Sequence, residues 1–455
     1  MFYILPFNFS PSEDCLCDSK NSGTIAFTNV TVIPMTGPDV ILKNQTVTIN
    51  GGIISAVRPT SQNDLNEGAF DLVIDGTGKY LMPGLAEMHG HIPPTHPSPS
   101  APSYFNAEYV ENTLFLYIAA GVTTVRGMLG YENQLELKDK MGVAGNWELV
   151  GPRLFLAGPS FNGNSVSSPE QASKKVIEQK EEGWDLLKVH PGLSLPEYQA
   201  MAKTANEISI PFGGHVPADV GIENAIALGQ QTMDHIDGYV AYLEAFEGAE
   251  QEQRMAEIIQ QTLDYNVWIV PTQALWETII GAADYDAMKQ YDELKYIPKP
   301  VLNGYNNWVT NNIDNNESLN LEDALDDAVL RQRLLFEMNK AGVNILMGTD
   351  APQLYSVPGF SIHRELSKMA ESGMSNYDIL KSGTTNVGSY LKTLGVSSNY
   401  GIITLNSISD LILVDDSPLE DLSNLKKLSG VLVHGRWYSK EMIDKKLAKI
   451  EASYR

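Results

Sequence analysis

The sequence predicts an α/β protein, a (β/α)8 TIM barrel beside a small β-sandwich assembled from both ends of the chain. Three observations predict it. Short apolar or β-branched runs alternate with helical stretches over about 300 residues, the size such a barrel needs. The residues closing those runs carry metal-ligand chemistry, as expected where strand ends converge on one mouth. The segments before and after share another texture, short strands broken by Gly, Asn and Pro. A doubly wound sheet would want a Gly-rich phosphate loop after its first strand, and the sequence has none.

Residues 1–22 read as a tail without a packed role. Residues 23–83 form the first part of the sandwich, with strands near 25–27, 30–34, 45–49 and 53–57 and a hairpin signal at Asn50-Gly51-Gly52. The barrel spans 84–395. Its first strand runs into Glu87-Met88-His89-Gly90-His91, and later strands are expected at 122–126, 153–157, 185–190, 210–215, 232–235, 267–272 and 343–350. Helices fill the gaps, among them 108–120, 169–182, 195–208, 220–228 and 250–265. Between 272 and 331 the alternation stalls in a rim insertion holding Trp276, Tyr285, Tyr291 and Trp308. Most of its aromatics are expected to pack on one another, with one or two lining a pocket. Residues 396–439 complete the sandwich with strands at 401–405, 410–415 and 431–436, and 440–455 form a C-terminal helix.

Composition excludes several classes. A net charge of -24 would repel a phosphate backbone, so nucleic acid and anionic lipid are not expected as partners. No apolar run reaches the length of a membrane span. Cys15 and Cys17 are the only cysteines, too few and too terminal for a disulfide framework. Cys17 followed by a polar run resembles the start of a lipid-anchored envelope protein, although the preceding residues make a poor lipobox. Localisation therefore stays open between cytoplasm and an exported or envelope-tethered protein. The expected partner is a small-molecule substrate, with monomer and homo-oligomer both open.

On a strand, His89 and His91 point to the same side, and Gly90 between them allows something to approach the backbone closely. Alone, the pair reads equally as two solvated histidines beside a Pro-rich loop. Lys188, His215, His235 and Asp350 close the fourth, fifth, sixth and eighth expected strands and change the balance. Four His, one Asp and one Lys converging on one mouth suit Zn2+ or a similar first-row ion. His190 shares a face with Lys188 and either touches substrate or merely lines the mouth. Tyr239 reads as a substrate-carbonyl donor or a packing residue, and His363 as a helix-steadying residue or a substrate contact. His96 and His434 read as surface or sandwich residues.

These residues resemble the amidohydrolase superfamily, in the group holding imidazolonepropionase-like proteins and Xaa-Pro (prolidase-like) or Xaa-Arg/Lys dipeptidases. The resemblance is carried by Pro83-Gly84 before His89-Gly90-His91, Gly121-Val122-Thr123-Thr124-Val125-Arg126, Leu187-Lys188-Val189 and Gly214-His215. Asp234-His235, Pro271-Thr272, Gly348-Thr349-Asp350 and His363-Arg364-Glu365-Leu366 extend it. It implies two divalent ions, with Zn2+ the expected metal, and a CO2-derived carbamate on Lys188. His89, His91, the carbamate and Asp350 would hold one ion, and His215 and His235 the other, with the carbamate shared. A metal-bridged hydroxide would then attack a carbonyl, with Asp350 as general base and acid. The implied reaction is cleavage of an amide or peptide bond in a dipeptide or N-acyl amino acid. Alternatives on the same fold are a mononuclear deaminase or cyclic-amide hydrolase, a lactone or organophosphate hydrolase, and a non-catalytic barrel. One departure stands out: Gly127 follows Arg126 where relatives often carry Asp, so a barrel salt bridge is expected to be missing.

Overall fold

The computed structural model describes residues 23–66, 68–94, 106–131, 134–141, 149–317 and 319–455. The 1–22 tail with Cys15 and Cys17, and His96, lie outside the described residues. Both ends of the chain meet in one eight-stranded mixed sheet. Its seam is the antiparallel pair Tyr80–Pro83 and Leu411–Val414, in which Leu81 faces Leu413 and Met82 faces Ile412. Period-two alternation gives this sheet two apolar faces. Leu81, Leu411, Leu413 and Leu432 pack with Phe27, Val32 and Val47 in one cluster. Met82, Ile412, Val414 and Val431 turn the other way, into the main core.

The remaining strands are parallel and are numbered β1 to β8 here. Leu85–Gly90 (β1), Val122–Gly127 (β2) and Arg153–Leu156 (β3) form one sheet. Leu187–Val189 (β4), Phe212–Gly214 (β5), Thr232–Asp234 (β6), Trp268–Val270 (β7) and Asn344–Ile345 (β8) form a second. A parallel bridge from Ala157 to Leu186 links β3 to β4. At the opposite edges, Met88 N–H of β1 donates to the Met347 carbonyl just past β8 (2.8 Å). Burial on both faces, as parallel strands require, is why these strands read as continuous apolar runs.

Several expected helices form where their caps allow. Pro169–Glu182 starts on Ser168, whose hydroxyl accepts from Gln171 N–H, and stops at Gly183 in a left-handed conformation. The stretch 272–331 is largely helical: Gln273–Ile279, Tyr285–Met288, Lys299–Val309, and the first half of Leu321–Ala341.

Two expectations are corrected. No strand forms at 401–405. Gly401 takes φ 70° and packs so tightly on the Thr384 carbonyl that a Cβ would clash, and Leu405 projects into solvent, so a turn replaces the strand. The barrel salt bridge is present: Arg126 is fully buried and pairs with Asp234 on β6 (3.0 Å) instead of with a neighbour in sequence.

Candidate metal centre

The six expected ligands converge at the C-terminal ends of the parallel strands. Lys188 lies within β4, while His91, His215, His235 and Asp350 follow β1, β5, β6 and β8. Asp350 N–H donates to the His89 carbonyl (2.6 Å), tying the end of β8's run to β1. This approach depends on Gly348, where a Cβ would stand 2.8 Å from His89 N. Gly90 does the corresponding job on β1, because a Cβ there would meet the Tyr117 hydroxyl at 2.7 Å.

Backbone strain gathers at the same place. His235 (φ 69°), Thr272 (φ 45°) and Asp350 (φ 61°) all adopt the left-handed region. For a β-branched threonine this is an outlier, and such residues persist only where their surroundings hold them.

His91 Nε2 lies 2.5 Å from Asp350 Oδ1, and His89 Nε2 lies 3.6 Å from the same oxygen. These three residues form a compact donor group. Lys188 Nζ is 3.2 Å from His89 Nε2, and His235 Nε2 is 3.9 Å from Asp350 Oδ2. The His215 ring stands 4.4 Å from that of His235, which is 4.5 Å from that of His89.

Three imidazoles are backed at Nδ1, those of His215 and His235 by hydrogen bonds and that of His89 by a close carboxylate contact. His89 Nδ1 sits 2.7 Å from Asp234 Oδ2, His215 Nδ1 2.9 Å from Asp237 Oδ2, and His235 Nδ1 2.7 Å from Thr272 Oγ1. Asp234 is in turn gripped by Arg126, whose other nitrogens donate to Thr232 Oγ1, the Tyr390 hydroxyl and the Met88 carbonyl. Outer partners of this kind orient metal-binding histidines and leave Nε2 as the donor. His235 Nε2 is buried with no hydrogen-bond partner, an uncompensated acceptor that a metal ion would satisfy.

Electrostatics agree with that donor set. Burial, reinforced by neighbouring Lys188 and histidines, holds His89 and His235 well below the ordinary histidine range, so both are neutral and able to ligate. Burial lowers the Lys188 amine to about 8, against the pull of Asp234 and Asp350. Beneath the site, burial pushes the Glu87 carboxyl up to about 8. Glu87 accepts from Thr349 N–H (2.7 Å) and His89 N–H (3.1 Å), joining the two segments that carry the His and Asp donors.

The other candidates sit differently. His190 is part-buried at the edge of the cluster, its ring 5.2 Å from that of His215. Tyr239 is fully buried and bonds Thr262 Oγ1 (2.8 Å), so its hydroxyl is occupied in helix packing. His363 lines a separate cavity of about 720 Å3 that shares no wall residue with the six. Sequence reasoning left Glu87, Asp237 and the roles of Asp234 and Thr272 unassigned. Asp234 and Thr272 stand in the Asp234-His235 and Pro271-Thr272 motifs that carry the resemblance, but nothing in the sequence marks them as partners of the histidines.

A family model for the amidohydrolase family matches residues 80–438. Among solved structures, a Xaa-Pro dipeptidase with bound methionine is 20% identical with a TM-score of 0.67, covering 91% of this chain and 100% of its own. A bottromycin amidohydrolase is 19% identical with a TM-score of 0.72, covering 95% of this chain and 90% of its own. A prolidase complexed with N-methylphosphonate-L-proline is 19% identical with a TM-score of 0.65, covering 91% of this chain and 99% of its own. No curated protein sequence matches. At these identities the structural likeness shows the fold. The family match extends over most of the chain and takes in every one of the six converging side chains, and the chain therefore belongs to the amidohydrolase family, a metal-dependent hydrolase acting on carbon–nitrogen bonds.

Proposed function

We propose that this protein binds two divalent ions and cleaves the amide or peptide bond of a dipeptide or N-acyl amino acid. The observation that carries the reading is the buried set of Nε2 donors facing a fully buried Lys188 whose hydrogen-bond partner is an imidazole. His89, His91 and Asp350 would hold one ion and His215 and His235 the other. Lys188 would join both as a carbamate. Its ammonium first gives up one proton; the neutral amine then adds to CO2, forming a nitrogen–carbon bond and releasing a second proton, so that a cation becomes an anion. Burial favours this step, because an amine lowered to about 8 is partly neutral near pH 7 and can attack. An unmodified ammonium would instead repel the ions.

Zn2+ is the metal this donor set suits, and bound ions would polarise the scissile carbonyl and make water nucleophilic near neutral pH. Asp350 takes the attacking water's proton and passes it to the departing amine. Arg126, through Asp234, keeps His89 in one orientation. The dipeptidase and prolidase among the structural relatives support a peptide-like substrate. We also assign the parallel strands to a closed (β/α)8 barrel over 84–395 with a rim insertion at 272–331. The end sheet is assigned to a small sandwich made from 23–83 and 396–439. The bridge at Ala157 and the Met88–Met347 bond support closure.

The compact His89, His91 and Asp350 group favours a second reading, in which a single ion suffices, as in a mononuclear deaminase or cyclic-amide hydrolase. Metal analysis separates the two. The test is a screen of dipeptides, N-acyl amino acids, lactones and organophosphates with Zn-loaded protein and bicarbonate. Two ions per chain, a carbon signal from labelled bicarbonate lost in Lys188→Ala, and peptide or N-acyl turnover are expected. One ion per chain, with turnover indifferent to Lys188→Ala, would refute the reading.

A further inference from the structure

Trp276 and Arg331 lie on two helices, Gln273–Ile279 and Leu321–Ala341, that carry no expected ligand. The Trp276 indole nonetheless stacks on the His235 imidazole, with centroids 4.9 Å apart and planes inclined by 20°. The Arg331 guanidinium covers Trp276 at 4.9 Å. Arg331 Nη1 also donates to the His235 carbonyl (2.5 Å), and Gln273 Nε2 donates to the Arg331 carbonyl (3.0 Å). Glu365 anchors the start of the tryptophan helix by accepting from Gln273 and Ala274 N–H, both at 2.9 Å.

A hydrogen bond at Nδ1 fixes one end of an imidazole and leaves its plane free to tilt. The Thr272 bond supplies the first restraint on His235. The indole face supplies the second, and the two together determine where Nε2 points. The buried guanidinium makes the stack a three-layer unit, adding cation–π attraction to the part-buried indole.

We propose that Trp276, backed by Arg331, is a positioning residue for His235 that selectively strengthens binding of the ion held by His215 and His235. The selectivity rests on the binuclear reading above. Orienting partners of metal ligands are worth roughly ten- to a hundredfold in affinity.

The test uses the full chain with isotope-labelled histidine, eight residues in all. His235 is assigned by the signal missing in His235→Asn. In metal-free protein, His235 is expected to show one tautomer, protonated at Nδ1; Trp276→Ala should mix the tautomers and Trp276→Phe should restore the single form. Co2+ titration should show one of two ions bound roughly ten- to a hundredfold more weakly by Trp276→Ala, with the other unchanged. Arg331→Met, which keeps the indole, should fall between. A His235 nitrogen signature in Trp276→Ala identical to wild type overturns the proposal, as do two unchanged affinities. Wild-type protein saturating with one ion rejects the binuclear reading alone, and the His235 signature in metal-free protein then decides the positioning role.

Discussion

Replacing Asp234 with alanine removes the partner of two buried groups at once. Arg126 and Asp234 are both wholly inaccessible, so the variant leaves a guanidinium in the core facing a void. Breaking a buried pair from one side costs about 3–5 kcal/mol. Arg126 keeps its bonds to Met88, Thr232 and Tyr390, which places the expected loss near the lower figure, about 3 kcal/mol. The same change removes the carboxylate that stands 2.7 Å from His89 Nδ1, and metal affinity should fall roughly ten- to a hundredfold. Urea denaturation of metal-free protein measures the first effect and metal titration the second. The double variant Arg126→Met/Asp234→Leu separates them. With both charges replaced by apolar side chains, stability should recover over the single variant, because a buried pair often contributes little against a hydrophobic substitute. Affinity should stay low, since His89 still lacks its anchor. If the single variant unfolds within about 1 kcal/mol of wild type, or the double variant regains metal affinity, the relay from Arg126 to His89 is not what orients the site.

Tyr239→Phe should cost about 1 kcal/mol, the worth of one buried hydrogen bond, and leave kcat and KM unchanged, because its hydroxyl is engaged by Thr262. His363→Ala should likewise leave kcat/KM at the wild-type value, and a tenfold fall in either variant would bring that residue to the substrate. Burial pushes the Glu365 carboxyl up to about 7, overriding the two backbone N–H donors that favour its ionised form. The folded state therefore holds a proton that the unfolded chain, with a glutamate pKa near ~4.3, has lost. Stability from this group is complete below ~4.3 and drains away as pH rises to about 7, by roughly 4 kcal/mol in total. Glu365→Gln should flatten that slope in urea midpoints measured across the window, and parallel curves for the two proteins would count against it.

Much of this organisation is legible from the chain because burial on both faces writes parallel strands as unbroken apolar runs, and their ends carry the chemistry. His89, Lys188 and Asp350 could be picked out because several such strand ends carry ligand-type side chains together. The supporting residues could not. Arg126 reaches Asp234 across 108 positions, a pairing set by where β2 and β6 stand in space. The helix Leu321–Ala341 was hidden by apolar residues on both of its sides. Leu321, Leu325 and Val329 face solvent while Leu334, Leu335 and Met338 are buried, so no single stripe marks the core side. The apolar run at 401–405 misleads as well, since its turn is imposed by contact with the Thr384 backbone, outside the run itself.

Strain at His235, Thr272 and Asp350 gives the site a further character. Each left-handed residue costs about 1–3 kcal/mol and persists only where surrounding contacts hold it. Here those contacts are the site's own. Thr272 bonds His235, Arg331 bonds the His235 carbonyl, and Asp350 bonds the His89 backbone. The strained residues thus hold one another and the donors in place before any ion arrives. An ion entering such a site need not order flexible side chains, so less of its binding energy is lost to entropy. Substitutions that relax these three backbones would release the donors they restrain, which is why strain and donor geometry belong to a single constraint at this mouth.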